Sequence, residues 1–176
     1  MVNLYIDMDG CLTEFIVLDE KQQYRLYERG YFQNLKPQKG VIEGMRLFMR
    51  KHPEINFFIL SAYLTDSKWA LSEKKEWLET NFPDVKRENW IFVRCGQDKG
   101  DVVKKEGINI LLDDHSPNLQ QWVRKPQNKG VKLVNMINGK GQNWKGYRLR
   151  YDMMPETFSD ELYSIINKEK KECEQE

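Results

Sequence analysis

Two aspartates one residue apart, Asp7 and Asp9 in NLYIDMDGCLTEF, close a short apolar run, and a second pair, Asp113 and Asp114, closes another, INILLDD. A carboxylate pair at the end of a buried strand is costly unless a cation or a shared proton relieves the repulsion. Two such pairs facing each other suit a hard divalent cation with oxygen ligands. Mg²⁺, bound by one or two carboxylates together with a substrate phosphate, meets that need. A third polar signal, Ser61, ends the apolar run INFFILS. For these residues to share chemistry, the chain must carry three strand ends to one place.

The elements that could do so alternate along the chain. VNLYI reads as a strand that stops at DMDG, whose glycine permits a sharp turn. Residues Glu20 to Arg29 are polar and helix-forming, and GYFQNLKPQKG then breaks the pattern. GVIEGMRLFMRK spaces Val41, Met45 and Phe48 as a helix does, and INFFILS follows as the second strand. TDSKWALSEKKEWLETNF opens on an Asp or Ser cap and carries Trp69, Trp77 and Leu78 on an amphipathic helix. NWIFVR is a third strand, DKGDVVKKEG a helix ended by glycine, INILLDD a fourth strand, SPNLQQWVRK a helix and GVKLVNMI a fifth strand. Such alternation predicts an α/β fold, a doubly wound parallel sheet covered on both faces, with ligands at the carboxyl ends of the strands. Asp7, Asp9, Ser61, Asp113 and Asp114 would then converge on one crevice.

Composition narrows the ligand. With 28 Lys and Arg against 27 Asp and Glu, the 176-residue chain has a formal charge of +1 and no broad field for extended nucleic acid or a membrane surface, so an anionic ligand must be held locally. The length suits one domain, no apolar run approaches a membrane span, and the N-terminus lacks the basic-then-apolar order of a signal peptide, so a cytoplasmic protein is expected. Cys11, Cys95 and Cys173 are scattered and read as reduced thiols. NGKGQ lacks the Lys-Ser/Thr ending of a phosphate-cradling P-loop, and the segment 138–146 reads as a loop. His115 reads as a helix-entry histidine near solvent and the dispersed tryptophans as core. The charged end, NKEKKECEQE, reads as a tail over 168–176 that frays.

DMDGCL, the Ser61 of FFILSA, the Lys99 of QDKGD and ILLDD stand in the order of the four motifs of the haloacid dehalogenase (HAD) superfamily, which the chain resembles. GYF, LKPQKGVIEGM, EKKEWLETNF and DKGDVV are further similar to its 5'(3')-deoxyribonucleotidase branch, over most of residues 3 to 119. The resemblance implies a single Rossmann-like HAD domain over 1–167, with a small helical cap inserted after strand one at about 16–38. It also implies a Mg²⁺-dependent phosphomonoesterase acting on nucleoside monophosphates. Asp7 would be the nucleophile that forms an aspartyl-phosphate and Asp9 the acid and base. Mg²⁺ would sit among Asp7, the Asp9 carbonyl and one or both of Asp113 and Asp114, with Lys99 and Ser61 on the phosphate oxygens. Phe15, Tyr31 and Phe32 match positions that contact the base, where aromatic faces suit stacking. The related nucleotidases carry threonine followed by Ser-Pro where this chain has SAY, which keeps a hydroxyl donor and alters the turn beside it. A small nucleotide is the implied partner, with a homodimer left open. Two rival readings are the same chemistry on another small phosphate or a nucleic-acid terminal phosphate, and a non-catalytic phosphate- or Mg²⁺-binding domain. Asp9 argues against the second, since binding alone needs no acid/base residue.

Overall fold

The computed structural model of the protein describes residues 1–15, 18–103, 106–136 and 143–173. Six strands, β1 (Val2–Ile6), β2 (Asn56–Tyr63), β3 (Trp90–Arg94), β4 (Ile108–Asp113), β5 (Asn128–Val134) and β6 (Tyr147–Arg150), form one sheet in the order β3-β2-β1-β4-β5-β6. Every pairing is parallel. Alternate residues of buried β1 serve opposite faces. Leu4 and Ile6 join a core with Met45 and Phe48 of α1 (Lys39–Lys51), Trp77 and Leu78 of α2 (Ala70–Asn81), and Phe158 and Leu162 of α4 (Pro155–Cys173). Tyr5 faces the other way, onto Leu119 and Trp122 of α3 (Ser116–Trp122). The sheet is therefore doubly wound, as the alternation predicts, and its strand order reverses between β1 and β4, where such folds bind ligands.

A row of asparagines fixes the register that feeds this switch point. Asn3 lies opposite both Asn56 and Asn109, and Asn109 opposite Asn128, so β2, β1, β4 and β5 are aligned at one level. Asn56 Nδ2 donates to Asn3 Oδ1 at 2.9 Å and Asn3 Nδ2 to Asn109 Oδ1 at 3.0 Å. A one-residue slip would break these amide bonds, the one between Asn3 and Asn109 fully buried, and turn each strand's apolar side chains to the wrong face. In the aligned register Ile6 pairs with Leu112, so Asp7 and Asp113 emerge side by side.

Several local expectations change. The helix expected over Glu20–Arg29 is one 3₁₀ turn, Gln23–Tyr27, none of whose residues is buried; without an apolar stripe to pack, a longer helix gains little. DKGDVVKKEG gives only a 3₁₀ turn at Lys99–Val102, with Val103 extended and Lys104 and Lys105 outside the described residues. Ser61 does not end β2, which runs on to Tyr63 because Ala62 and Tyr63 still pair with β3. Trp69 precedes α2 rather than packing on it. Strand β6 and helix α4 have no counterpart in the sequence reading. The charged end is no loose tail: α4 continues to Cys173, with Glu169 buried in an ion pair to Lys129, and only 174–176 lie outside the described residues. Of the loop at 138–146, residues 138–142 lie outside the described residues, whereas Trp144 is buried. No described helix is long and apolar enough to cross a membrane.

Candidate active site

Past the end of β1 the Asp7 amide still donates to Leu112 O at 2.9 Å, and the chain then winds into a tight turn in which the amides of Cys11, Leu12 and Thr13 all point at Met8 O. Gly10 makes this turn feasible. Its φ is +79°, and a Cβ there would lie 2.2 Å from Asp114 Oδ2, so the backbone reaches the second acidic pair only because the side chain is absent. Gln38 Nε2 and Asn135 Nδ2 donate to Gly10 O at 3.2 and 2.9 Å and hold the turn in place.

One oxygen from each of Asp7, Asp113 and Asp114 can be chosen so that all lie within 4.8 Å of one another. Asp7 is only 6% exposed. Burial raises its pKa; Lys99 opposes the rise while Asp113 and Asp9 add to it, leaving the carboxyl pushed up to about 6. Burial, then the charges of Asp113 and Asp7, hold Asp114 well above the usual carboxylate range, against the hydrogen bond it accepts from Asn135 Nδ2 at 3.1 Å. Asp113 is more fully supported: Oδ2 accepts from Lys99 Nζ at 2.6 Å and Asn118 Nδ2 at 3.0 Å, and Oδ1 from the His115 amide at 2.7 Å. Lys99 Nζ also lies 2.9 Å from Asp7 Oδ1, so one buried ammonium bridges the two acids. Burial alone would favour the neutral amine, but the Asp113 and Asp7 carboxylates outweigh it and raise the Lys99 pKa.

Asp9 points the other way, toward a cavity of about 160 Å³ lined by Phe15, Leu26, Phe32, Tyr63, Leu64, Lys74 and Cys95 among others. Sequence reasoning missed Lys74. This fully buried ammonium donates to Asp9 Oδ2 at 2.5 Å, Ala62 O at 2.6 Å and Ser61 Oγ at 3.2 Å. Its signal was present: Ala70, Glu73, Lys74, Trp77 and Leu78 occupy the i, i+3, i+4, i+7, i+8 positions of one helix face, all five buried, so two charged residues stand in apolar slots. A charge buried in such a slot must be paired.

The structure thus brings together Asp7, Asp9, Ser61, Lys99, Asp113 and Asp114, with Phe15 and Phe32 on the cavity wall. Phe32 is 3% exposed, wedged between Tyr31, edge-on at 5.1 Å, and the Lys74 ammonium, 5.0 Å from its ring centroid. Tyr31 does not line this cavity; it faces a separate cleft of about 520 Å³ with Arg25, Arg29 and Lys36. His115 contributes its amide to Asp113, and burial lowers its imidazole pKa.

Asp7, Asp113 and Asp114 offer an all-oxygen donor set among the described residues, the chemistry that a hard divalent cation complements. A parallel doubly wound sheet with paired acids at its switch point is the arrangement that the resemblance to the HAD superfamily implies. Residues 12–133 match the family described as 5' nucleotidase, deoxy (Pyrimidine), cytosolic type C, and the chain belongs to that family. It is accordingly a phosphoric monoester hydrolase of the 5'-nucleotidase type. The match takes in Ser61, Lys74, Lys99 and the second acidic pair, and begins just after Asp7 and Asp9. No curated protein matches the chain.

Proposed function

We propose that the protein hydrolyses nucleoside monophosphates in a Mg²⁺-dependent reaction through an aspartyl-phosphate on Asp7. The observation that carries this reading is the division of labour between the two aspartates of DMDG. Asp7 is sunk among Lys99, Asp113 and Asp114, whereas Asp9 borders the cavity where a substrate's leaving group would lie. An Asp7 carboxylate oxygen attacks phosphorus as the bond to the nucleoside oxygen breaks, and Asp9 gives that oxygen its proton. Asp9 then takes a proton from the water that attacks the phosphoryl group, phosphate departs and the Asp7 carboxylate is restored. Lys99, already on Asp7, and Lys74, already on Asp9 and Ser61, place positive charge on both sides of the reacting centre, where an anionic nucleophile must meet an anionic ester.

Asp7 and Asp114, together with the backbone of Asp9, would hold the cation, which supplies charge neutralisation and orients the phosphate. Asp113 is the less suited ligand because both its oxygens already accept hydrogen bonds. Phe15 and Phe32 would face the nucleoside, and Tyr31 contributes by backing Phe32 rather than by touching the base.

The test is phosphate release across ribo- and deoxyribonucleoside 5'- and 3'-monophosphates, with Mg²⁺ and with EDTA. Nucleotides should be cleaved with higher kcat/KM than ribose 5-phosphate or p-nitrophenyl phosphate, and EDTA should abolish release. A second reading, a smaller phosphate ester as substrate, is favoured by the cavity of about 160 Å³, below the ~300–1,000 Å³ usual for ligand sites. Preference for the generic phosphates would establish it.

A further inference from the structure

We propose that Glu73 is a positioning residue that pins the cap over the reaction centre, so that nucleotide recognition depends on helix α2 as well as on the cap's own aromatics; this rests on the nucleotidase reading above. Glu73 stands in the first turn of α2 and is 3% exposed. Its two carboxylate oxygens are divided between two cap amides: Oε1 accepts from Gly30 N, and Oε2 from Phe32 N at 3.1 Å. Bonds from backbone N–H to an ionised carboxylate are stronger than neutral ones and fix direction as well as distance.

One turn further along the same face, Trp77 Nε1 donates to Leu35 O at 2.7 Å. The helix therefore grips the cap at both ends of residues 30–35. Between these two contacts in sequence, Lys74 reaches inward to Asp9, Ser61 and the Ala62 carbonyl. A single helical turn thus fixes the cap, the acid/base aspartate and the β2 hydroxyl relative to one another. The cap is tied a second time at its stem, where the Glu14 amide donates to Lys36 O at 2.7 Å and the Gln38 amide to Leu12 O at 2.8 Å. Held at stem and tip, the segment carrying Phe32 is a fixed wall and not a hinged lid.

The discriminating measurement compares kcat/KM for a deoxynucleoside 5'-monophosphate with that for p-nitrophenyl phosphate, in the wild-type protein, Glu73→Gln and Glu73→Ala, all with Mg²⁺. The wild-type ratio comes first: if it does not favour the nucleotide, the nucleotidase reading fails, and the clamp is judged by exchange alone. Where it does, Glu73→Gln keeps the side chain's shape but turns one acceptor into a donor facing an N–H. Its nucleotide kcat/KM should fall on the order of 10- to 100-fold, the scale of an ångström-level misplacement, while p-nitrophenyl phosphate, which needs only the phosphate site, falls far less. Glu73→Ala should show the larger loss of discrimination. Equal falls for both substrates would overturn the proposal and leave Glu73 as a stability residue. Amide exchange on the wild-type protein needs no variant to fold. The Gly30 and Phe32 amides should be protected to the same degree as those of β1, and rapid exchange there in the intact enzyme would overturn the clamp.

Discussion

Asp113 and Asp114 are neighbours in sequence with the same ionisable group, yet their surroundings give them different work. Asp113 is tied to Lys99, Asn118 and the His115 amide, and Asp114 looks across Gly10 toward Asp7. Asp114→Asn should therefore abolish the Mg²⁺-induced rise in Tm that follows when a ligand binds the native state alone. Asp113→Asn should retain part of that rise but lower the Tm of the metal-free protein, since it strips a buried lysine of a charge partner, a change that costs about 3–5 kcal/mol where the charge is left uncompensated. Thermal melts with and without Mg²⁺ distinguish the two, and the reverse pattern would exchange their roles. Asp7 adds a pH dependence. Its folded pKa, pushed up to about 6 from an ordinary 3.8, means that the native state binds this proton more tightly than the unfolded chain does. The resulting stabilisation is complete below the unfolded value and is lost as pH rises through the folded one, so the metal-free protein should weaken between about pH 4 and pH 6. A cation needs the deprotonated carboxylate, so the Mg²⁺-induced rise in Tm should grow over the same window. A rise larger at about pH 5 than at about pH 7.5 would contradict the ligand assignment. At this scale the acids were legible because strand ends announce them. Lys74 was hidden because a Glu-Lys-Lys-Glu run looks like a solvated face until its helical register is counted against Ala70, Trp77 and Leu78.

Among the elements, α1 and α4 show how little room the larger core leaves. Gly44 of α1 sits so close to α4 that a Cβ would meet Phe158 Cδ1 at 2.7 Å, inside the closest approach of carbon atoms. Gly44→Ala should destabilise the protein by about 1–3 kcal/mol, the cost of overpacking a filled core, despite alanine's better helix propensity. Denaturant unfolding measures it, and a stabilised variant would show that the two helices are not in this contact. Helix α4 went unread although Phe158, Leu162 and Ile166 repeat every four residues, because charges crowd the positions between them. The opposite error, a full helix over Glu20–Arg29, came from propensity without a buried face: helix-forming residues there have nothing to pack against and settle for a single 3₁₀ turn. Strand β6 is short and half charged, YRLR, and it is held by pairing with β5 and by Leu149 and Tyr147 against the larger core.

The whole molecule places its chemistry where the strand order turns back, and that order is a property of the fold rather than of any one segment. Alternation of apolar runs with amphipathic helices was enough to foresee a parallel sheet with its acids at the carboxyl ends of its strands. It could not give the order β3-β2-β1-β4-β5-β6, which depends on crossovers and on the asparagine row that aligns β2, β1, β4 and β5. Family membership then supplies the reaction class, and the proposed reading divides its parts among a sunken Asp7, an Asp9 at the cavity, Lys99 bridging Asp7 and Asp113, Lys74 on Asp9, and residues 30–35 tied to α2. The most direct test of this account is phosphate release from a deoxynucleoside 5'-monophosphate by Asp7→Asn beside the wild-type protein, at equal folded concentration with Mg²⁺. The account predicts a folded variant whose turnover is lost, because an amide in the same position cannot form the acyl-phosphate. A variant that releases phosphate at the wild-type rate would contradict it.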